Sequence, residues 1–361
     1  MASETEILRY LKENDYIDVY IFLITSIDNL RNRGILLKNC IERFEEKIEA
    51  ALRKVEMNPD VDPKDKEMSN CIKDIHYAEL ETIQELNILI ELLAVYYRLV
   101  RTDLRRLPKA IGKKDISSRE LYEEFAYFKN QTLEDIRRNL RYPNLENFPE
   151  LSSEEKGILK GFFEDSLKQI QGMFSKISGF QERFRPIYNK YKHTLSEITG
   201  IYGINKEAKR LESQIYLRIK HDGNFQTYVV GAGSEAVKYL KEIGEMTYQV
   251  LRMTIDSALL HLANVGKDVI PRTIFARDDN NMFQTIASKI RSCRVPNFES
   301  FVIVQKPSPE IMDKVSREIQ ENYVYIMNKD IMSPTNMLKE GIRLTGKTDA
   351  YVKENPDRRV S

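Results

Sequence analysis

The chain has no tryptophan, three cysteines and four histidines in 361 residues. Three cysteines cannot build a disulfide framework, so the sequence predicts a reduced protein. His76, His193, His221 and His261 are scattered and match no zinc-ligand spacing, and no metal or cofactor is expected. No sign of charge dominates: 56 Lys and Arg stand against 55 Asp and Glu, which excludes a polybasic chain that coats nucleic acid with its whole surface. Long apolar runs are also missing. Val19–Ile27 is interrupted by Thr25 and Ser26, and Leu86–Val100 carries Glu91 and Arg98. Both fall short of the roughly 20 apolar residues that cross a bilayer, so no transmembrane segment is expected. The start, Met1 to Glu6, is acidic and unlike a targeting peptide, with Ser3 and Glu6 spaced as a helix capping box. A soluble, cytoplasmic protein is the expectation.

Glycine and proline are scarce where the chain begins. Residues 1–142 hold two Gly and three Pro, which leaves few turn or strand signals and favours long helices. Apolar residues recur at Ile17, Ile21, Ile24 and Ile27, then at Leu37, Ile41, Phe44, Ile48, Leu52 and Val55. That spacing predicts a helix with a bend or short break around Arg31–Gly34, ended by Asn58-Pro59. A second helix is predicted over 64–107, with a coiled-coil-like seam at Ile83, Leu86, Ile90, Leu93, Tyr97, Val100, Leu104 and Leu107. Antiparallel pairing of the two is the natural way to bury both stripes. A third helix is predicted over 118–141 and a fourth over 153–198.

From residue 200 on the texture changes, with nine of the fifteen Gly and six of the twelve Pro. Strands are predicted at 225–230, 269–276, 301–305 and 323–327, with helices at 234–264, 279–292 and 308–321 between them. The fold class expected is therefore mainly α with a smaller α/β part. A long antiparallel bundle over 1–200 precedes a small mixed or parallel-sheet α/β domain over 201–344, whose long helix docks on the bundle. Residues 345–361 read as a flexible tail.

The charges are segmental. Residues 57–97 carry three Lys and nine Asp or Glu, whereas 98–114 carry seven cations and one acid. Arg98, Arg101, Arg105, Arg106, Lys109, Lys113 and Lys114 form a candidate surface for nucleic acid or an anionic membrane. The same cations also suit a helix C-terminus or the acidic stretch before them. Arg183 to His193 mixes cations with aromatics, but Phe184, Tyr188 and Tyr191 fall on a core stripe.

Two glycine motifs invite a phosphate. Gly231-Ala232-Gly233-Ser234 sits between a predicted strand and a predicted helix, where free N–H groups can hold an anion. With Asp278 and Lys306 at other predicted strand ends, Gly231, Gly233 and Ser234 form the candidate phosphate site. A tight turn with Ser234 as N-cap explains the same residues. Ser234 lacks the His base that a nucleophile elbow needs nearby. Gly341 to Thr348 matches the G-x-x-x-x-G-K-[ST] phosphate loop, but too little chain follows for a crossover helix and strand, and the match reads as chance.

No set of residues completes a catalytic constellation. The expected function is a non-enzymatic interaction or scaffold protein built on the charged helices, binding a protein partner or itself. The alternatives are a nucleic-acid-associated protein using the basic patch, and a nucleotide- or phosphate-dependent enzyme centred on Gly231–Ser234.

Overall fold

The structure, a computed structural model, describes residues 4–58, 66–112, 116–193, 198–205, 210–221, 224–267, 271, 274, 282–283, 285–289, 302–305, 323–327, 342–345 and 350–354. The protein is mostly helical. Helices α1 (Glu4–Glu13), α2 (Ile17–Met57) and α3 (Lys66–Thr102) are followed by α4 (Leu107–Gly112), α5 (Ser118–Asn130), α6 (Leu133–Asn139) and α7 (Ser153–His193). Strands β1 (Ile198–Asn205), β2 (Arg210–His221) and β3 (Asn224–Gly233) lead directly into helix α8 (Ser234–Ala263). Four short strands follow: β4 (Val302–Gln305), β5 (Tyr323–Met327), β6 (Ile342–Thr345) and β7 (Ala350–Glu354). No helix among the described residues is long and apolar enough to cross a membrane.

Helices α2 and α3, with 41 and 37 residues, extend roughly 60 and 55 Å at 1.5 Å per residue. They pack antiparallel. Arg33–Glu85 at 3.0 Å, Arg43–Glu81, Lys47–Asp74 at 3.0 Å and Lys54–Glu67 at 3.4 Å run along the pair as a ladder. Exposed pairs of this kind contribute about 0–1 kcal/mol each, so their main effect is on register. The acidic stretch 57–97 is thus answered mainly by cations of α2. The helix predicted over 64–107 ends at Thr102, and its seam is filled within the chain: Ile83, Leu86, Ile90, Leu93 and Tyr97 are buried in one core with residues of α2, α7 and α8, joined by Leu107 of α4.

Helix α2 differs from the predicted pattern in two ways. It runs unbroken through Arg31–Gly34. Its first half also buries Val19, Tyr20, Leu23 and Leu30, while Ile17, Ile21, Ile24 and Ile27 are only half-buried. At about 100° per residue, Leu23 and Leu30 stay in phase with Leu37 and Phe44, whereas the isoleucine stripe drifts to the far side. Gly34 serves helix contact. A Cβ there would lie 2.8 Å from the Tyr248 ring of α8, and one at Gly244 would lie 2.9 Å from Leu37. These two glycines let α2 and α8 approach closely, antiparallel to each other.

The predicted 118–141 helix is two helices. Thr132 caps α6 in a reciprocal box with Asp135, and Ser117 does the same for α5 with Glu120. Helix α7 starts on a matching exchange between Ser152 and Glu155. Ser3 lies outside the described residues.

The small mixed or parallel-sheet α/β domain expected over 201–344 is not seen among the described residues. β1, β2 and β3 form an antiparallel meander, and β4 pairs with β6 and β5 with β7, also antiparallel. The physical reason lies in the connections. Only four residues separate β1 from β2, and two separate β2 from β3. A parallel crossover takes a dozen or more. His221 pairs with Asn224 across Asp222 and Gly223, a dipeptide favoured in two-residue hairpins. Helix α8 is not a crossover; it packs against α2, α3 and α7. β7 falls within the expected tail, paired with Tyr323–Met327. The predicted helix at 308–321 lies outside the described residues.

Candidate functional site

The basic patch predicted around Arg98 is largely engaged within the chain. Arg98 reaches Glu123 at 3.3 Å, Glu124 at 3.7 Å and Glu120 at 3.8 Å. Arg101 binds Glu124 at 2.6 Å, Arg106 lies 3.7 Å from Glu120, and Arg105 bonds Asp103 at 3.1 Å. The partner of Arg98, Arg101 and Arg106 is therefore helix α5, not the acidic stretch 57–97. Glu124 is 0% exposed. Burial pushes its carboxyl above the ordinary value, and the two guanidiniums pull it back. Glu120 is held below the carboxylate range, first by the Ser117 backbone N–H. Lys109 is also engaged. Lys113 and Lys114 lie outside the described residues.

Beneath these ions runs a network of neutral polar groups. Tyr97 Oη donates to Gln131 Oε1 at 2.7 Å, and Asn139 Nδ2 donates to Tyr127 Oη at 2.9 Å. The Arg101 guanidinium lies 4.2 Å over the Tyr127 ring. Gln171 of α7 donates to the Gln131 carbonyl at 2.9 Å, which fixes the break between α5 and α6. The arrangement ties α3, α5, α6 and α7 together. The side chains of Arg105 and Arg106 stay 60% and 45% exposed.

Of the candidate phosphate residues, Gly231, Gly233 and Ser234 are described. Gly231 and Gly233 lie in strand β3, opposite Gln214 and Glu212, and Ser234 opens α8. The glycines are thus extended and ladder-paired, where a phosphate cradle needs a loop. Asp278 and Lys306 lie outside the described residues. In the Gly341–Thr348 match, Ile342–Thr345 forms strand β6 against β4, again where a phosphate loop would wrap.

Two groups went unnoticed in the sequence. Glu79 on α3 is 1% exposed, and neither carboxyl oxygen has a hydrogen-bond partner. Burial alone pushes its carboxyl up to about 8. Its signal was legible: Glu79 stands four residues before Ile83 and seven before Leu86, on the seam itself. Arg141, after α6, adopts a left-handed φ of 54°. Tyr142 N–H donates back to the Arg137 carbonyl at 2.9 Å, a turn that usually takes glycine. The Arg141 guanidinium donates to the Val100 carbonyl at 3.5 Å, at the C-terminal end of α3, where a cation suits the helix dipole.

The clearest concavity with an apolar floor lies between α2 and α8. It encloses about 580 Å³ over Gly34, Leu37, Ile41, Gly244 and Tyr248. Ile35 on its wall is 50% exposed. The rim carries Arg31 and Lys38 towards one end and Glu42 and Glu45 towards the other. A second groove, between α6 and the start of α7, mixes Arg137 and Lys156 with Glu134 and Glu146, which pair with them.

Among the described residues, no three His, Cys, Asp or Glu side chains are placed to hold a metal ion. The chain matches no known protein family, no curated protein and no solved structure.

Proposed function

We propose that the protein is a non-enzymatic interaction protein whose working surface is the groove between α2 and α8. One observation carries this reading: a large apolar side chain, Ile35, stands half exposed on the wall of a groove with an apolar floor and a charged rim. Helical proteins recognise partners by laying an apolar helix face into such a groove, with rim charges selecting the orientation. The coiled-coil-like seam of α3 supports the role indirectly, since it is buried inside the chain and leaves α2 and α8 to present the surface.

The nucleic-acid reading has less support, because Arg98, Arg101, Arg105 and Arg106 answer carboxylates of the same chain. The phosphate-enzyme reading rested on a loop at Gly231–Gly233, and those residues are in a strand.

The test compares proteins retained by the full chain with those retained by an Ile35→Asp variant of equal helicity. The reading expects binders, further copies of the chain included, that the variant loses. Identical sets from both would refute it.

A further inference from the structure

Resting on that reading, we propose that the groove between α2 and α8 is occupied by the same groove of a second copy of this chain, related by a two-fold axis. The first argument is the order of charge along the groove. Along α2 the rim reads Arg31, Lys38, then Glu42, Glu45. Reversing the direction of α2 converts this pattern into its complement, so two copies laid antiparallel oppose cations to anions at both ends. A patch complementary to its own reverse is what an isologous two-fold contact requires.

Helix α8 does not cancel the pattern. The close approaches of Gly34 to Tyr248 and of Gly244 to Leu37 fix its direction. That direction puts Glu245 near the cationic end of the α2 rim and Lys241 near the anionic end. Each end therefore keeps one net charge of its own sign. Lys38 and Glu42 pair at 3.4 Å within the chain, but both are largely exposed and free to exchange partners.

The second argument is apolar. Ile35, half exposed, stands next to the floor formed by Leu37, Ile41 and Tyr248. A two-fold contact lays the Ile35 side chain of each copy on the floor of the other, so both exposed groups are covered at once. The glycines at the helix crossing keep that floor low enough to receive a side chain.

Sedimentation equilibrium of the full chain over a wide concentration range tests the assignment. Wild type is expected to show a reversible monomer–dimer equilibrium, and Ile35→Asp to weaken it at least tenfold. A charge-swap series is more specific. Arg31→Glu with Lys38→Glu makes the whole rim anionic, and Glu42→Lys with Glu45→Lys makes it cationic. Each double variant alone is expected to dimerise at least tenfold more weakly than wild type. An equal mixture of the two, and the chain carrying all four changes, are expected to recover dimerisation. These positions are on the rim, and circular dichroism checks that each variant keeps wild-type helicity. A wild type that is monomeric throughout overturns the self-docking and leaves the interaction reading to its own capture comparison. A dimer that ignores Ile35→Asp, or a mixture that associates no better than its components, also overturns it.

Discussion

Glu79 offers the sharpest thermodynamic test. Its carboxyl is buried without a partner and titrates at about 8, against an ordinary value of 4.5. Between those two values the folded chain holds a proton that the unfolded chain has released. Stability therefore falls as pH rises through this window, by up to about 1.4 kcal/mol per pH unit, and levels off on either side. At neutral pH the proton-linked cost is about 3 kcal/mol. The unmade hydrogen bonds add about 1–3 kcal/mol. Glu79→Gln removes the first cost and keeps the second, whereas Glu79→Met removes both with a flexible side chain of similar length. Urea unfolding of the three proteins, followed by circular dichroism at several pH values across the window, separates the contributions. Glu79→Gln should be more stable than wild type at neutral pH, and the difference should shrink to nothing near pH 4.5. Glu79→Met should be the most stable of the three. A constant difference across the window, or a Glu79→Gln variant weaker at neutral pH, would show that the carboxylate is ionised and paired, and would refute the reasoning.

Other substitutions probe the packing. Gly34→Ala places a Cβ 2.8 Å from the Tyr248 ring and should cost about 1–3 kcal/mol, whereas Gly161→Ala, in open space, should gain about 1 kcal/mol of helix propensity; thermal unfolding distinguishes them. At Arg141, with its φ of 54°, Arg141→Gly should be about 1 kcal/mol more stable than Arg141→Ala, because glycine alone relieves the left-handed backbone; urea midpoints measure the difference. Glu124→Gln leaves Arg101 without its 2.6 Å carboxylate and should cost about 3 kcal/mol, part of which Arg101→Met should restore in the double variant, as a double-mutant cycle would read.

The long helices were legible because their seams repeat over many turns. The Ile83–Val100 stripe is buried as its period implied, whereas Leu104 and Leu107, beyond the end of α3 at Thr102, are buried from a separate turn and helix. In the first half of α2, two stripes competed, and only phase with Leu37 and Phe44 selects Val19, Leu23 and Leu30. The break between α5 and α6 was written in Thr132 and Asp135, a capping box inside an otherwise continuous apolar pattern. The sheet was harder to read. In β2, Leu211, Ile215, Leu217 and Ile219 keep the two-residue alternation of a strand, and Asp222-Gly223 is a dipeptide favoured in hairpins, but Ser213 interrupts the apolar series and the first strand predicted was 225–230. The ion pairs of the basic patch were hidden for a different reason. Its cations are compact in sequence, and their carboxylates arrive from a separate helix that no local pattern connects to them. The groove rests on Gly34 and Gly244, more than two hundred residues apart, and follows only once α2 and α8 are side by side.

Hydrogen-exchange mass spectrometry of the dilute and concentrated full chain tests the proposed contact at the α2–α8 groove most directly. Peptides covering Arg31–Glu45 and Lys241–Gln249 should exchange more slowly in the concentrated protein, with the Arg98–Lys109 segment unchanged. Slowing confined to Arg98–Lys109, or none in either groove segment, would contradict it.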